Sequence, residues 1–192
     1  MIIWLNGNFS AGKTSAAKAL HAMWPGSLLL DPEAIGIALR AVTPAEAVVR
    51  DFQDIQLWRE LVVATCAGLV AEWGRPVIVP MTLLQPTYFR EVVTRLRDDG
   101  LEVRHFCLTA PVTVLRARAR QRVEEGQHGS DLTWLEERWA AYDASDPRFA
   151  EHIDTTRKSA REVAEAIASK LPQPLPMNVG RARWAAWRSH AG

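Results

Sequence analysis

The sequence predicts an open α/β sandwich, in which helices cover both faces of a five-stranded parallel sheet. Short apolar runs alternate with longer segments of helical period, a pattern typical of parallel sheets. Gly26, Gly74 with Pro76, and Gly100 stand where helices should stop before the next strand. With 192 residues and 48% hydrophobic content, the chain can bury one sizeable core. We expect one domain over residues 1–171.

The strands are predicted, in chain order, at 2–5, 27–30, 77–80, 102–108 and 152–153. The main helices are predicted between them, at 13–23, 54–73, 87–98 and 160–171. After residue 171 prolines prevent a helix from continuing, so 172–192 is predicted to be a linker and tail.

Composition restricts the classes of partner and compartment. A net charge of +1 and a pI near 7.9 argue against nucleic acid as the partner. Cys66 and Cys107 lie in apolar segments and predict buried thiols in a reducing compartment. The apolar run 1–5 is too short for a signal peptide, and no window has the roughly 20 apolar residues of a spanning helix. We expect a cytoplasmic protein.

A phosphate-binding motif follows the first strand and opens the first helix. It fits G-x-x-x-x-G-K-[ST] at every fixed position, and Ser15 follows it; its residues are Gly7, Asn8, Phe9, Ser10, Ala11, Gly12, Lys13 and Thr14. The glycines allow successive N–H groups to face an anion, and the helix N-terminus adds a positive dipole end. Lys13 would reach the β and γ phosphates, and Thr14 would bind Mg²⁺. The alternative is a glycine-rich turn with a solvated lysine.

Asp31 ends the second strand run, where the carboxyl ends of parallel strands face the ligand crevice. A phosphotransferase needs a group that orients or deprotonates the accepting hydroxyl, and Asp31 is the candidate general base. It could instead hold a magnesium-bound water. Alternatively, Asp31 is the N-cap of a helix that begins at Pro32. The local sequence Asp-Pro-Glu favours this interpretation.

Arginines recur at every second position on a helical segment, at Arg116, Arg118, Arg120 and Arg122. On a helix this spacing spreads the charges around the axis, so only one or two can face a nucleotide. We expect a mobile lid over 116–135, with Arg118 and Arg122 as its catalytic cations. The alternative is a solvated basic helix.

The third strand run ends without the acid expected of a motor protein or a GTPase, which counts against both classes. Asp31 could take the place of that acid, and Thr82 could contribute a hydroxyl there. The alternative for Thr82 is an ordinary residue at the end of a strand.

Several sequence blocks together resemble the tunicamycin-resistance protein family. They are the phosphate motif, DPEAIGIALR at 31–40, DFQDIQLWRE at 51–60, VIVPMTLLQPTYF at 77–89 and RLRDDGLEVRHFCL at 95–108. The wider similarity is to P-loop small-molecule and nucleotide kinases, such as chloramphenicol phosphotransferase and gluconate kinase. The segment 153–167 looks like their last strand, adenine-side loop and final helix.

The resemblance implies a P-loop kinase-like three-layer sandwich that binds ATP with Mg²⁺. It also implies protection against a uracil-containing, acylated nucleoside antibiotic, either by phosphorylation of a hydroxyl or by ATP-dependent sequestration. By matching position, Asp31 would face the reacting hydroxyl, Arg118 or Arg122 would belong to the lid, and Thr156, Arg157 and Lys158 would lie near the adenine.

The acceptor site is expected between the second and third strands. Aromatic faces and fork-shaped donors that suit a uracil or sugar ring occur there at Arg40, Phe52, Gln53, Trp58 and Arg59. Phe52 and Trp58 could instead be core residues on an apolar helix stripe. Weaker candidates on the same edge of the crevice are Met81, Thr82 and Gln85.

The C-terminal tail carries Arg181, Arg183 and Arg188 beside Trp184 and Trp187. A short basic helix with paired tryptophans could lie at a membrane interface as a peripheral contact. The alternative is a helix that docks its tryptophans on the core.

Overall fold

A computed structural model describes residues 1–124, 131–149 and 151–172 of the chain. Its strands form one parallel sheet in the order β2-β3-β1-β4-β5. They are β1 (Ile2–Gly7), β2 (Leu28–Leu29), β3 (Val77–Pro80), β4 (Val103–Thr109) and β5 (His152–Asp154). The predicted five-stranded parallel α/β sheet is therefore confirmed.

The helices connect successive strands, as parallel pairing requires. They are α1 (Lys13–Met23), α2 (Pro32–Val42), α3 (Gln56–Trp73), α4 (Pro86–Phe89), α5 (Arg95–Asp98), α6 (Val112–Glu124), α7 (Leu132–Ala141) and α8 (Ala160–Ala168). A π-helical segment, Arg90–Thr94, joins α4 to α5. Short 3₁₀ turns lie at Ala45–Ala47, Phe52–Asp54 and Pro147–Phe149.

Alternating side chains of β1 belong to two different cores. Ile3 and Leu5 pack in a cluster with residues of α1, α6, α7 and α8, whereas Ile2 and Trp4 pack with residues of α3 and the 86–98 helices. Successive side chains of a strand point to opposite faces, so β1 must have helices on both sides. The three-layer sandwich follows from this pattern.

Most predicted element bounds agree with the structure, and the differences are local. The helix predicted at 54–73 begins at Gln56 because a 3₁₀ turn capped by Asp51 precedes it. The helix predicted at 87–98 contains the π-helical segment, where Val92 and Val93 are both fully buried. α7 was not predicted. The centre of the predicted lid, 125–130, and all but the first residue of the tail 172–192 fall outside the described residues.

The two thiols are buried and not bonded to each other, as expected. Burial raises the pKa of both Cys66 and Cys107 to about 12, so neither is a reactive thiolate near neutral pH. Within the described ranges, no helix has both the length and the apolar character needed to cross a lipid bilayer.

His105, on β4, is a buried polar side chain without a hydrogen-bond partner. It is 4% exposed, and neither ring nitrogen is bonded to any described residue. Its ring packs edge-on against Phe89, with 4.9 Å between the centroids. Burial lowers the pKa of His105 to about 3, so the ring stays neutral in the folded protein.

We expect His105→Leu to stabilise the protein by about 1–3 kcal/mol at neutral pH, because unsatisfied buried nitrogens are removed. The stability advantage of His105→Leu over the parent should increase as the pH falls. The unfolded histidine takes up a proton below about pH 6.5 and the folded one does not, so the parent loses stability as pH falls. Between pH 8 and pH 5 the difference should widen by about 2 kcal/mol.

Urea unfolding at the two pH values measures this difference. His152→Leu is the control, because the exposed His152 should change stability by only about 0.5 kcal/mol. A His105→Leu protein that is less stable at both pH values would show that the ring's packing outweighs its unmet hydrogen bonds.

Candidate functional site

The phosphate loop connects β1 to α1 through backbone conformations that favour glycine. Gly7 has φ 127° and Gly12 has φ 93°, and Ser10, which is not a glycine, also has positive φ, at 65°. The N–H of Ala11 donates to the carbonyl of Asn8 at 3.2 Å and closes the turn. Within the described part of the chain, α1 has no side-chain N-cap and no acid in its first turn. Its first N–H groups and its dipole are therefore available to an anion.

Lys13 lies across this loop. Its Nζ donates to the carbonyls of Gly7 at 3.1 Å and Asn8 at 2.9 Å, and it lies 5.5 Å from the centroid of the Phe9 ring. Burial lowers the pKa of Lys13 to about 8; the charge of Glu33 opposes this shift and that of Arg122 adds to it. The lysine is thus held at the loop that the sequence predicts as the phosphate cradle.

Nucleotide affinity is expected to fall about tenfold between pH 7 and pH 9. Bound phosphates would raise the pKa of Lys13, so binding requires a proton that the free protein loses above about pH 8; below that pH the affinity should be constant. Titrations of ATP at the two pH values measure this. Lys13→Arg stays charged at both and should show little change, whereas an unaltered protein with equal affinities would contradict the assignment.

Two buried polar side chains tie the start of the loop to the segment that follows β3. Asn6 is fully buried; its Oδ1 accepts from the N–H groups of Gly7 at 2.8 Å and Leu83 at 2.7 Å, and its Nδ2 donates to the Leu83 carbonyl at 2.9 Å. Thr82 donates its hydroxyl to the carbonyl of Gly7 at 2.9 Å. Thr82 therefore braces the loop, while Asn6 was missed because no motif marks it.

A cleft of about 330 Å³ opens beside the phosphate loop. Its lining includes Ser10, Gly12, Ser15, Arg118, Arg122 and Lys158. Loop residues and both predicted lid arginines therefore line one cavity. Its size suits a small ligand.

The two arginines that line the cleft are one turn apart on α6. Arg118 donates to Thr155 twice, from Nη1 to the hydroxyl at 3.1 Å and from Nη2 to the carbonyl at 2.6 Å. Arg122 is half-buried on the same face. In contrast, Arg116 pairs with Glu136 at 2.7 Å and Arg120 is exposed. The structure thus brings two of the four arginines to the cleft.

The predicted adenine-side residues lie in the loop after β5. Lys158 lines the cleft and donates to the Asp154 carbonyl at 2.9 Å. Thr156 donates to the Asp154 carboxylate from its N–H and its hydroxyl, and Arg157 is exposed. Thr155, which the sequence analysis missed, is 2% exposed, and its hydroxyl lies within hydrogen-bond distance of two acceptors, the carbonyls of Ala11 and Thr109. It links this loop to the phosphate loop.

Asp31 caps α2, as the second of its two interpretations predicts. Its carboxylate accepts from the N–H of Glu33 at 3.0 Å. Burial and the Asp31 carboxylate raise the pKa of Glu33, and the nearby charge of Lys13 partly offsets this. Asp31, Glu33 and Lys13 are therefore electrostatically coupled at the carboxyl edge of the sheet, and Glu33 joins the candidate site although the sequence analysis did not select it.

Two predicted acceptor residues are buried. Trp58 is fully buried, and its Nε1 donates to the Pro32 carbonyl at 2.9 Å; it is core, and it holds the start of α2. Met81 is 5% exposed, and its carbonyl accepts from the Trp4 indole at 3.1 Å. A ligand in the crevice has no access to these side chains.

Phe52, Arg40 and Gln53 are occupied by neighbours within the protein. The guanidinium carbon of Arg40 lies 3.9 Å from the Phe52 centroid, and its Nη2 donates to the carbonyls of Val49 and Arg50. The Phe52 ring also packs closely on Gly36, where an added Cβ would lie 2.3 Å from it. Gln53 is 6% exposed.

Arg59 and Gln85 complete the predicted acceptor set. Arg59 donates to the Gln53 carbonyl and the Glu91 carboxylate, each at 2.5 Å, and lies 4.2 Å from the Tyr88 centroid. The Oε1 of Gln85 is buried with no hydrogen-bond partner among the described residues.

A magnesium ion fits this donor set. Thr14, in the first turn of α1, has an exposed side chain, and the Asp31 carboxylate lies at the same edge of the sheet. The described residues contain no cluster of three or more His, Cys, Asp or Glu that could hold a metal alone. Mg²⁺ at a nucleotide site needs only one or two protein groups beside the phosphates and water.

Known proteins resemble this chain in both sequence and structure. The family model of the AAA domain matches residues 2–148. The tunicamycin resistance protein of Deinococcus radiodurans is 33% identical, with a TM-score of 0.69 over 88% of this chain and 94% of that chain. No curated protein matches.

Two kinase structures share the fold. A sugar kinase from Janibacter sp. HTCC2649 is 20% identical, with a TM-score of 0.62 over 88% of this chain and 92% of that chain. The APS kinase of Mycobacterium tuberculosis, solved in complex with AMPPNP and APS, is 14% identical, with a TM-score of 0.60 over 88% and 95% of the two chains. The chain therefore belongs to the AAA domain family and to the tunicamycin-resistance protein family, with the P-loop kinase-like fold of a nucleotide-binding phosphotransferase.

Proposed function

We propose that the protein is an ATP- and Mg²⁺-dependent kinase that confers resistance to tunicamycin or a related nucleoside antibiotic by phosphorylating one of its hydroxyl groups. One observation carries the proposal: a phosphate loop whose lysine is coupled to Glu33, which is in turn coupled to Asp31, occurs in a chain 33% identical to a tunicamycin resistance protein. Kinases of small molecules share the fold.

In this proposal the catalytic roles are divided among residues of the phosphate loop, the start of α2 and α6. Asp31 accepts the proton of the attacking hydroxyl, and Lys13 with Arg122 offsets charge on the transferring phosphoryl. Arg118, held by Thr155, positions the nucleotide. Thr14 holds Mg²⁺, which neutralises phosphate charge when bound.

A second function is an ATP-dependent binder that sequesters the antibiotic without reaction. The helix cap favours it, because the Asp31 carboxylate already accepts from the N–H of Glu33 and capping alone explains an acid there. The two functions differ in whether the antibiotic leaves the protein chemically altered.

The proposed setting is the cytoplasm, where ATP is available and the buried thiols stay reduced. We also propose that residues 1–171 form the catalytic domain and that the tail 172–192 contacts membranes peripherally. Sedimentation with anionic lipid vesicles should retain more of the full chain than of a chain ending at residue 171. Equal retention would remove the membrane role.

The test of the proposed function is survival in tunicamycin. Sensitive bacteria that express the unaltered protein should grow at antibiotic concentrations that stop cells expressing Lys13→Ala at the same protein level. Equal sensitivity of the two strains would contradict both the kinase and the ATP-dependent binder.

A further inference from the structure

α7 is anchored on the phosphate loop. The indole Nε1 of Trp139 donates to the Phe9 carbonyl at 3.2 Å, and the ring of Trp134 meets the Phe9 ring edge-on at 4.8 Å between centroids. Phe9 in turn lies under the ammonium of Lys13. Trp134 is thus separated from the phosphate-binding lysine by one aromatic ring.

The same helix contacts the segment between β2 and β3 through Arg138. Its Nη2 lies 2.7 Å from the carboxylate of Asp51, which is 6% exposed, and 3.9 Å from that of Asp54. The guanidinium carbon lies 5.3 Å from the Trp134 centroid and 5.8 Å from that of Tyr142. A buried carboxylate and two aromatic rings therefore fix the planar group in one orientation.

A second arginine covers Trp134 more loosely. The guanidinium carbon of Arg50 lies 5.5 Å from the Trp134 centroid, and its Nη2 pairs with Asp131 at 3.0 Å. Both side chains of this pair are 59% exposed, and exposed pairs contribute little to stability. A ligand can therefore displace Arg50 from the ring, while Arg138 remains in place.

We propose that Trp134 and Arg138 are specificity-determining residues that bind the acceptor. A flat heterocyclic ring of the acceptor packs on Trp134 in place of the Arg50 guanidinium, and Arg138 donates to an oxygen of that ring. This inference rests on the proposed function. It places the ring on α7 rather than at Trp58, which is fully buried, or at Phe52, which Arg40 covers.

The experiment is a calorimetric titration of tunicamycin into the full chain with a non-hydrolysable ATP analogue bound. Trp134→Ala should raise the Kd for tunicamycin about tenfold, the effect typical of a lost base–aromatic stack, and Trp134→Phe should restore most of the affinity. Arg138→Lys keeps the charge beside Asp51 and loses the fork, so binding should also weaken. Arg50→Ala removes a competitor for the ring and should leave the affinity equal or tighter.

The controls separate recognition from support of the loop. Trp73, 51% exposed at the end of α3, lies at the opposite edge of the sheet, so Trp73→Ala should bind tunicamycin like the parent. The affinity for the ATP analogue should change by no more than about threefold in every variant. That change is smaller than the loss of affinity expected when one base–aromatic stack is removed.

Three outcomes would overturn the inference. Trp134→Ala could bind tunicamycin as well as the parent, or it could lose nucleotide and antibiotic together, which would assign the tryptophan to loop support. Both results would leave the proposed function standing. An unaltered protein that neither binds nor modifies tunicamycin would overturn the proposed function and this site with it.

Discussion

Replacing Asp31 with asparagine is expected to lower kcat by a factor on the order of 10²–10⁴, which is the usual contribution of a general base. The fold should not change, because asparagine caps helices as well as aspartate does and its amide oxygen can accept from the Glu33 N–H. ATP affinity should stay within about twofold, since contacts to ground-state phosphates remain. Steady-state turnover of tunicamycin, with a separate ATP titration, measures both quantities.

Glu33→Gln is the matched control for Asp31→Asn. Glu33 lies two residues from Asp31, and the pKa of Glu33 is raised partly by the Asp31 carboxylate. Glu33→Gln therefore removes a neighbouring carboxylate charge and leaves the proposed base, Asp31, in place. A much larger loss of kcat in Glu33→Gln would transfer the role of base to Glu33. Undiminished protection of cells by Asp31→Asn would instead favour sequestration.

The second large effect is predicted for Gly7→Ala. A Cβ on Gly7 would lie 2.2 Å from the carbonyl oxygen of Leu108, its partner in the β1–β4 register, and φ is 127° there. The obstacle is backbone in the middle of the sheet, which cannot move aside. We expect a loss of about 4 kcal/mol or more, a fall in Tm of roughly 10 °C.

Gly12→Ala provides the control within the same loop. Gly12 also has positive φ, at 93°, but a Cβ there meets nothing within 4 Å. Only backbone strain should destabilise Gly12→Ala, so we expect a loss of about 1 kcal/mol in the free energy of unfolding and a fall of a few degrees in Tm. Equal losses in the two variants would show that strain, and not the contact with Leu108, governs Gly7.

The parts of the site that depend on neighbours in sequence could be predicted from the chain alone. The motif Gly7 to Thr14 specifies its own turn, and α1 has the predicted bounds. The local sequence Asp-Pro-Glu likewise predicts the helix cap at Asp31, because the capping hydrogen bond joins the Asp31 carboxylate to the N–H of Glu33, only two positions away. Such features need only local backbone chemistry.

The parts that depend on distant partners could not be predicted. Asn6 is satisfied by Leu83, 77 residues away, and no local pattern indicates that pairing. An apolar stripe on α3 does not distinguish a core tryptophan from a ligand-binding one, and Trp58 is buried by distant partners that include Pro32, 26 residues away. The hydrogen bond from Trp139 of α7 to Phe9 joins residues 130 positions apart, and α7 itself was not predicted.

Phosphoryl transfer to the antibiotic would change its mass, so a mass spectrum detects the proposed reaction. Tunicamycin and UDP-linked amino sugars would be incubated with the protein, ATP and Mg²⁺, with Lys13→Ala as the blank. We predict that tunicamycin gains one phosphoryl mass and that the gain is absent in the blank. Unchanged tunicamycin that is retained by the protein only when ATP is present would contradict the kinase and favour the sequestering binder.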